Sequence, residues 1–338
     1  MENLLIQSEN TKALRYLLGE CGMAGKVDLV YIDPPFATND TFTVSEGRNS
    51  TISRERNGKE AYSDKLTGVA FVDFLRQRLV LIRELLSERG SVYLHTDYKI
   101  GHYVKVMMDG VFGIGNFRGD ITRVKCNPKN FSRIGYGNIK DMLLFYSKGE
   151  RPIWNEPYTG YSEDDLQRLF PKEEADGRHY TTVPIHAPGE TAKPKPFKGM
   201  LPPAGRHWRT DVEVLEQWDR QGLIEWSSNG NPRKKIYSDE RSGKRLQDIW
   251  WDWKDPQYPT YPTEKNADML DMIIRTSSDK GSIVLDCFCG SGTTLLAAAK
   301  NGRSWIGVDR SETAISATKA KMGMEGDGFF RTDRVLVL

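Results

Sequence analysis

The chain has 338 residues, of which 38% are hydrophobic and 10% aromatic, enough for a packed core and against global disorder. Its length suits one large α/β domain with a sizeable insertion. The net charge of +2 argues against a protein that coats nucleic acid but allows a local basic groove, and no apolar run reaches the roughly 18–20 residues of a membrane span.

Met1-Glu2-Asn3-Leu4-Leu5-Ile6 lacks a basic region followed by a long apolar stretch, so no secretion signal is expected and the expected compartment is the cytoplasm. Thr11 to Gly19 has helical spacing, with Leu14, Leu17 and Leu18 on one face. Val27 to Ile32 is a predicted strand that runs into Asp33-Pro34-Pro35-Phe36. From Phe71 to Glu88, apolar residues recur at helical spacing (Phe71, Phe74, Leu75, Leu79, Ile82, Leu85, Leu86), and Gly90 is expected to end that helix. Ser91 to His95 and Met142 to Tyr146 read as strands, with a helix over His102 to Met108 between them. Such alternation predicts a parallel sheet with helices on its faces.

Residues 151–247 change texture, with weak periodicity and many Pro, Gly and Trp. Between 193 and 245 there are 12 Lys/Arg against 7 Asp/Glu. Arg233-Lys234-Lys235 and Lys244-Arg245 are the densest points, and Trp208, Trp218, Trp226 and Tyr237 interleave with the charge. A solvated surface explains charge clusters alone; the aromatics add the expectation of phosphate contact plus stacking.

From 248 on the α/β texture returns: helices over Asp268 to Arg275, Thr293 to Lys300 and Glu312 to Lys321, and strands over Ser282 to Asp286 and Trp305 to Asp309. The most specific nucleotide-type signal is Asp286-Cys287-Phe288-Cys289-Gly290-Ser291-Gly292-Thr293, a strand, a glycine-rich turn and a helix start. Two glycines allow tight turns and close ligand approach, and the helix N-terminus offers free N–H groups. Asp309, at the end of the next strand, is placed to bind ribose hydroxyls. A Walker site would need Gly-Lys-Ser/Thr, absent here, and a dinucleotide fingerprint would need glycine where Leu295 stands. S-adenosylmethionine needs neither. The Cys287/Cys289 spacing does not suit a zinc site, and no metal is expected.

Asp33-Pro34-Pro35-Phe36 follows a predicted strand, where α/β proteins place chemistry. An exocyclic amino nitrogen donates its lone pair into the base ring and is a poor nucleophile. Two acceptors, the Asp33 carboxylate and the Pro34 carbonyl, would hold its two hydrogens and turn the lone pair toward a methyl donor. This is catalysis by positioning and electrostatics. Pro35 stiffens the loop, and Phe36 would stack on a base flipped out of the duplex.

The Asp-Pro-Pro-Phe and Phe-x-Gly-x-Gly motifs resemble those of the amino-methyltransferases of restriction-modification systems. Their order, catalytic motif first and cofactor motif last with a basic insertion between, resembles the permuted β-class, including type II and type III modification enzymes. The resemblance covers about 1–150 and 248–321. It implies a doubly wound Rossmann-like sheet, S-adenosylmethionine as cofactor, double-stranded DNA as partner, and a homodimer or a restriction subunit as a further partner. It divides the chain into a catalytic half (1–150), a target-recognition insertion (151–247) forming one wall of a DNA cleft, and a cofactor-binding half (248–338). By resemblance, Thr263 and Lys265 of Tyr261-Pro262-Thr263-Glu264-Lys265 would hold the methionine carboxylate, and Glu9 would approach the cofactor adenine. Asp286, Phe288, Gly290, Gly292, Thr293 and Asp309 complete the expected cofactor site, and Arg233, Lys234, Lys235, Lys244 and Arg245 are the expected DNA contacts. Methylation of the cytosine 5-carbon would need a Pro-Cys nucleophile, and the chain has none. Asp33, where cytosine 4-amino enzymes more often carry Ser, points to the 6-amino group of adenine; the cytosine 4-amino group, or an RNA amino group, is the alternative.

Overall fold

The computed structural model describes residues 2–34, 41–44, 59–63, 68–128, 134–257, 264–324 and 333–338. In chain order, β1 (Asn3–Gln7), α1 (Asn10–Gly19) and β2 (Val27–Ile32) precede a strand pair, β3 (Thr41–Val44) and β4 (Lys59–Ser63). Then come α2 (Gly68–Leu85), β5 (Leu86–Thr96), α3 (Gly101–Phe112), β6 (Phe117–Val124) and β7 (Lys140–Ser147). Shorter elements follow: β8 (Tyr158–Thr159), α4 (Glu163–Leu169), β9 (Lys172–Glu173), β10 (His179–Pro184), β11 (His186–Pro188), β12 (Arg206–Trp208), α5 (Val212–Arg220), β13 (Ile224–Trp226), β14 (Pro232–Tyr237) and β15 (Lys244–Arg245). The last stretch holds β16 (Ile249–Trp250), α6 (Ala267–Ser277), β17 (Ile283–Asp286), α7 (Thr293–Lys300), β18 (Ser304–Asp309), α8 (Glu312–Met322) and β19 (Asp333–Val337).

The chain divides into two compact units, one of Met1–Pro157 with Gln247–Leu338 and one of Tyr158–Leu246. The first is built on a sheet of nine described strands in the order β16-β6-β7-β5-β2-β17-β18-β1-β19. Strands β5, β2, β17, β18, β1 and β19 are parallel neighbours, whereas β7 runs antiparallel to both β5 and β6. The sheet is therefore mixed, where the sequence predicts a parallel one. Residues 129–139 carry no regular helix among those described, so β6 returns as β7 without the crossover that parallel pairing requires.

Burial follows the patterns that form these elements. Phe71, Leu75, Leu79, Ile82 and Leu85 make one stripe on α2 and are all buried; each is worth roughly 1.5–3 kcal/mol of burial free energy. β2 and β17 are apolar nearly throughout, as strands covered on both faces must be. Gly90 does not end α2, which stops at Leu85; it lies inside β5, at the bulge where pairing shifts from Val27↔Leu86 to Leu29↔Ser91. A Cβ on Gly90 would fall 2.8 Å from the Val27 carbonyl oxygen, so the glycine serves a close backbone approach.

In the second unit, β13-β14-β10-β9 form a small antiparallel sheet, and β11 pairs with β12 as a separate two-stranded ribbon. Its core is Ile185, Phe197, Val212, Leu215 and Ile224 with Trp208 and Trp218 packed against it. No helix among the described residues is long and apolar enough to cross a membrane.

Candidate active site

β2 and β17 lie side by side, pairing Leu29 with Val284 and Val30 with Leu285. β2 leads to β5 on one side and β17 to β18 on the other, so the strand order reverses between them. Open α/β sheets bind ligands outside the carboxyl ends of strands at such a reversal. Three carboxylates stand there: Asp33 just after β2, Asp286 at the end of β17 and Asp309 at the end of β18.

The turn after β17 is shaped by Gly290 and Gly292, with φ of 51° and 77°, both left-handed. A Cβ on Gly292 would come within 2.8 Å of the Thr318 side chain, so space as well as conformation requires glycine. Asp309 fastens the turn: Oδ2 accepts from Gly290 N at 3.0 Å and Oδ1 from Ser311 N at 2.8 Å. Each oxygen keeps a further lone pair for a ribose hydroxyl. The Asp286 Oδ1 accepts from Phe288 N at 3.0 Å. Burial above all, with Asp33 and Asp309 nearby, pushes Asp286 up to about 7, against the pull of Thr294 and the Phe288 N–H. Burial likewise raises Asp309, against the N–H groups of Ser311 and Gly290. A cation placed beside two carboxylates raised in this way would favour their charged forms, so the pair suits a cationic ligand. Thr293 Oγ1 accepts from Lys321 Nζ at 2.9 Å, and the same ammonium reaches Glu264 Oε1 at 2.5 Å. Cys287 and Cys289 are buried, and burial pushes both thiols up.

Asp33 uses its two oxygens differently. Oδ2 forms an ion pair with Lys265 Nζ at 2.6 Å. Oδ1 is buried and has no hydrogen-bond partner among the described residues. An acceptor left bare in the interior costs about 1–3 kcal/mol, so such an atom marks a place where a ligand donor is expected. For Lys265, burial opposes the charge, but Asp33 and Asp255 outweigh it and hold the ammonium above its ordinary range. The Asp33 carboxylate is thus a partner of Lys265. Pro34 is buried; Pro35, Phe36 and Thr263 lie outside the described residues.

Behind Asp33 is a polar network that sequence patterning does not reveal. The Tyr31 hydroxyl is 2.8 Å from His95 Nδ1, and His95 Nε2 donates to Asp141 Oδ2 at 3.2 Å. Lys125 donates to the other Asp141 oxygen at 2.7 Å. Arg123, fully buried, donates to Asp255 Oδ1 at 2.5 Å and to the Trp253 carbonyl at 2.7 Å. Burial works against the Asp141 charge, but His95 and Lys125 hold that carboxyl well below the usual range. Burial first, then Asp33, raises the Tyr31 hydroxyl well above its ordinary value. The one available signal is charge inside apolar strands, with Arg123 next to Val124 and Asp141 next to Met142.

Glu9 has a structural task. It caps α1, accepting from Lys12 N at 3.0 Å, and forms an ion pair with the buried Arg78. Arg78 also donates to Asn10 Oδ1 at 2.8 Å, and Asn10 Nδ2 donates to the Cys287 carbonyl at 2.8 Å. The chain start is thereby tied to the glycine turn. Arg78 lies over the Phe74 ring, and that ring is 6.2 Å from the Phe288 ring.

The expected DNA contacts do not form one patch. Alternation along β14 sends Lys234 to the face opposite Arg233 and Lys235. Lys234 Nζ sits 3.6 Å from the Trp218 ring centroid, and Lys235 is paired with Glu174 at 2.7 Å. Arg233 donates to Thr182 Oγ1 and O at 2.9 and 2.7 Å. Lys244 is paired with Asp165, and Arg245 is exposed on β15.

A family model described as DNA methylase matches residues 27–320. The chain is 39% identical over 318 residues to the type II methyltransferase M.EcaI of Enterobacter cloacae, covering 92% of this chain and 67% of that one. It is 26% identical over 335 residues to the Mod subunit of the type III restriction-modification enzyme StyLTI of Salmonella typhimurium, covering 86% of this chain and 49% of that subunit. It thus spans two thirds of one relative and about half of the other. The crystal structure of M1.HpyAVI in complex with S-adenosylmethionine has a similar fold, with a TM-score of 0.50 at 16% identity over 94% of this chain and 98% of that one.

Proposed function

The chain belongs to the DNA methylase family of N6 and N4 amino-methyltransferases, and from that premise we propose that it methylates the 6-amino group of adenine in DNA. The family's methyl donor is S-adenosylmethionine. The donor set fits that molecule: Asp286 and Asp309, both raised by burial, suit a cation that also carries ribose hydroxyls. Glycine turn, Asp286 and Asp309 would hold it, and when bound it supplies an electrophilic methyl group on a sulfonium.

The observation that carries the reading is the bare, buried Oδ1 of Asp33 beside an Oδ2 already held by Lys265. In this reading Oδ1 and the Pro34 carbonyl accept the two amino hydrogens of the flipped base. The nitrogen lone pair is then drawn out of conjugation and aimed along the line of transfer. Lys265 fixes the carboxylate rotamer, and Oδ1 is placed to take the proton the nitrogen would lose when the methyl exchanged its bond to the sulfonium, left as a thioether, for one to nitrogen. We assign target recognition to the unit Tyr158–Leu246 and place the enzyme with the DNA in the cytoplasm.

The test is transfer of tritium from labelled S-adenosylmethionine to unmethylated DNA, followed by nucleoside analysis. Labelled 6-methyladenine is the expected product. Label in 4-methylcytosine would keep the mechanism and replace the base; label in RNA alone would overturn the DNA assignment.

A further inference from the structure

We propose that the β11–β12 ribbon and the adjoining end of β14 form a phosphate-binding site for the DNA backbone, built from Arg206, Arg209, Arg233 and His186. The proposal rests on the reading of the chain as a DNA methylase and adds where the second unit grips its substrate.

Several cations of this unit are spoken for. Lys172, Arg178, Lys235 and Lys244 each have a carboxylate partner. Arg206, Arg209 and Arg233 have none among the described residues; they are held by neutral acceptors instead. Arg206 Nη1 lies 3.2 Å from His186 Nδ1, Arg209 Nε donates to the His186 carbonyl at 3.1 Å, and Arg233 donates twice to Thr182. Glu225, opposite Arg233 in register, is engaged by Lys172 and Tyr180.

The cluster is donor-only. A guanidinium cannot accept, so Nδ1 of His186 must accept from Arg206, which leaves the ring proton on Nε2 as one more donor. Arg206 at the His186 ring, Arg209 at its carbonyl and Arg233 opposite Pro184 at the neighbouring strand end, with no carboxylate paired to them among the described residues, form a local positive field that a phosphodiester would neutralise. Burial first, then Arg206 and Arg209, with Arg233 adding, lowers His186 below its ordinary range, consistent with all three fields reaching that ring.

The frame under the cluster is rigid, as a binding site requires. Ile185, next to His186, is buried, and Trp208, between Arg206 and Arg209, packs edge-on against the buried Phe197. Arg206 and Arg209 themselves are exposed. An open ribbon bearing two guanidinium groups that no acid among the described residues pairs with suits a long polyanion. Such contacts fix register on the duplex without reading bases.

The experiment is anisotropy of a fluorescent unmethylated duplex between about 50 and 200 mM salt, with tritium transfer by the wild type in parallel. Each phosphate contact contributes about 0.9 to the slope of log affinity on log salt. Arg206→Ala with Arg209→Ala is expected to weaken binding and flatten the slope by about 1.8, two such contacts. Arg206→Lys with Arg209→Lys, which keeps both charges, is expected to keep the slope. An unchanged slope in the alanine pair, or equal loss in both pairs, would overturn the proposal while a methylating wild type leaves the enzyme reading intact. A wild type that neither binds nor methylates DNA would overturn both.

Discussion

Asp33 shows how one side chain is divided between two jobs. Its Oδ2 is committed to Lys265 and its Oδ1 is kept bare. Asparagine at this position has one acceptor and one donor. It must either present N–H to the Lys265 ammonium or present N–H to the substrate amino group, and both are donor-to-donor contacts. Asp33→Asn is therefore expected to lower single-turnover methyl transfer by about 10²–10³-fold, the usual scale for losing one preorganised electrostatic partner. Affinity for S-adenosylmethionine, measured by calorimetry, is expected to stay within a few-fold of wild type. Near-normal transfer by the variant would remove Asp33 from the chemistry. Asp33 and Asp286 are visible in the sequence because a rigid Pro-Pro and a pair of glycines mark their positions. The polar network behind Asp33, with His95, Asp141 and Arg123, is not, since three distant strands must pair before those side chains meet.

At the scale of elements, the glycine turn is readable from its spacing, and α7 spans Thr293–Lys300 as its residues predict. The packing behind it is not readable. A dinucleotide site would place a glycine at the Leu295 position so that helix and strand approach closely. Here the relief sits on the other partner: a Cβ on Gly307 of β18 would fall 2.4 Å from Leu295 Cδ1 and 3.2 Å from Leu5 Cδ1. Gly307→Val is thus expected to push α7 off the sheet and destabilise the protein by about 1–3 kcal/mol, the usual range for overpacking. Denaturant unfolding checks this, and a midpoint equal to wild type would show that the helix has room to move. The antiparallel β7 is hidden from the sequence for a related reason. Strand direction depends on the connection, and the residues between β6 and β7 carry no helical periodicity that announces it. Gly90 is ambiguous because a glycine that ends a helix and one that permits a bulge look alike until Val27 is placed beside it.

For the whole molecule, the raised Asp286 links the site to stability. Its folded-state value near 7 lies above the ordinary carboxylate range, so between about pH 4 and 7 the folded chain holds a proton that the unfolded chain has lost. Asp286 then makes stability fall as pH rises through that window, with a slope of up to about 1.4 kcal/mol for each pH unit. Below about pH 4 both states are protonated and the effect vanishes. Asp286→Asn is expected to flatten the decline measured by denaturant titration from about pH 4 to 8; an unchanged profile would mean that the carboxyl ionises freely in the fold. The sheet order has a further consequence, for synthesis. β2 and β17 are adjacent in space but about 250 residues apart along the chain, and β1 must wait for β18 and β19. On the ribosome, the Asp33 strand emerges long before its neighbour, and contacts of such sequence separation form slowly. On the proposed reading, the loop that carries Asp33 is therefore made well before the glycine turn after β17, and the two halves of the site can meet only once β17 has emerged.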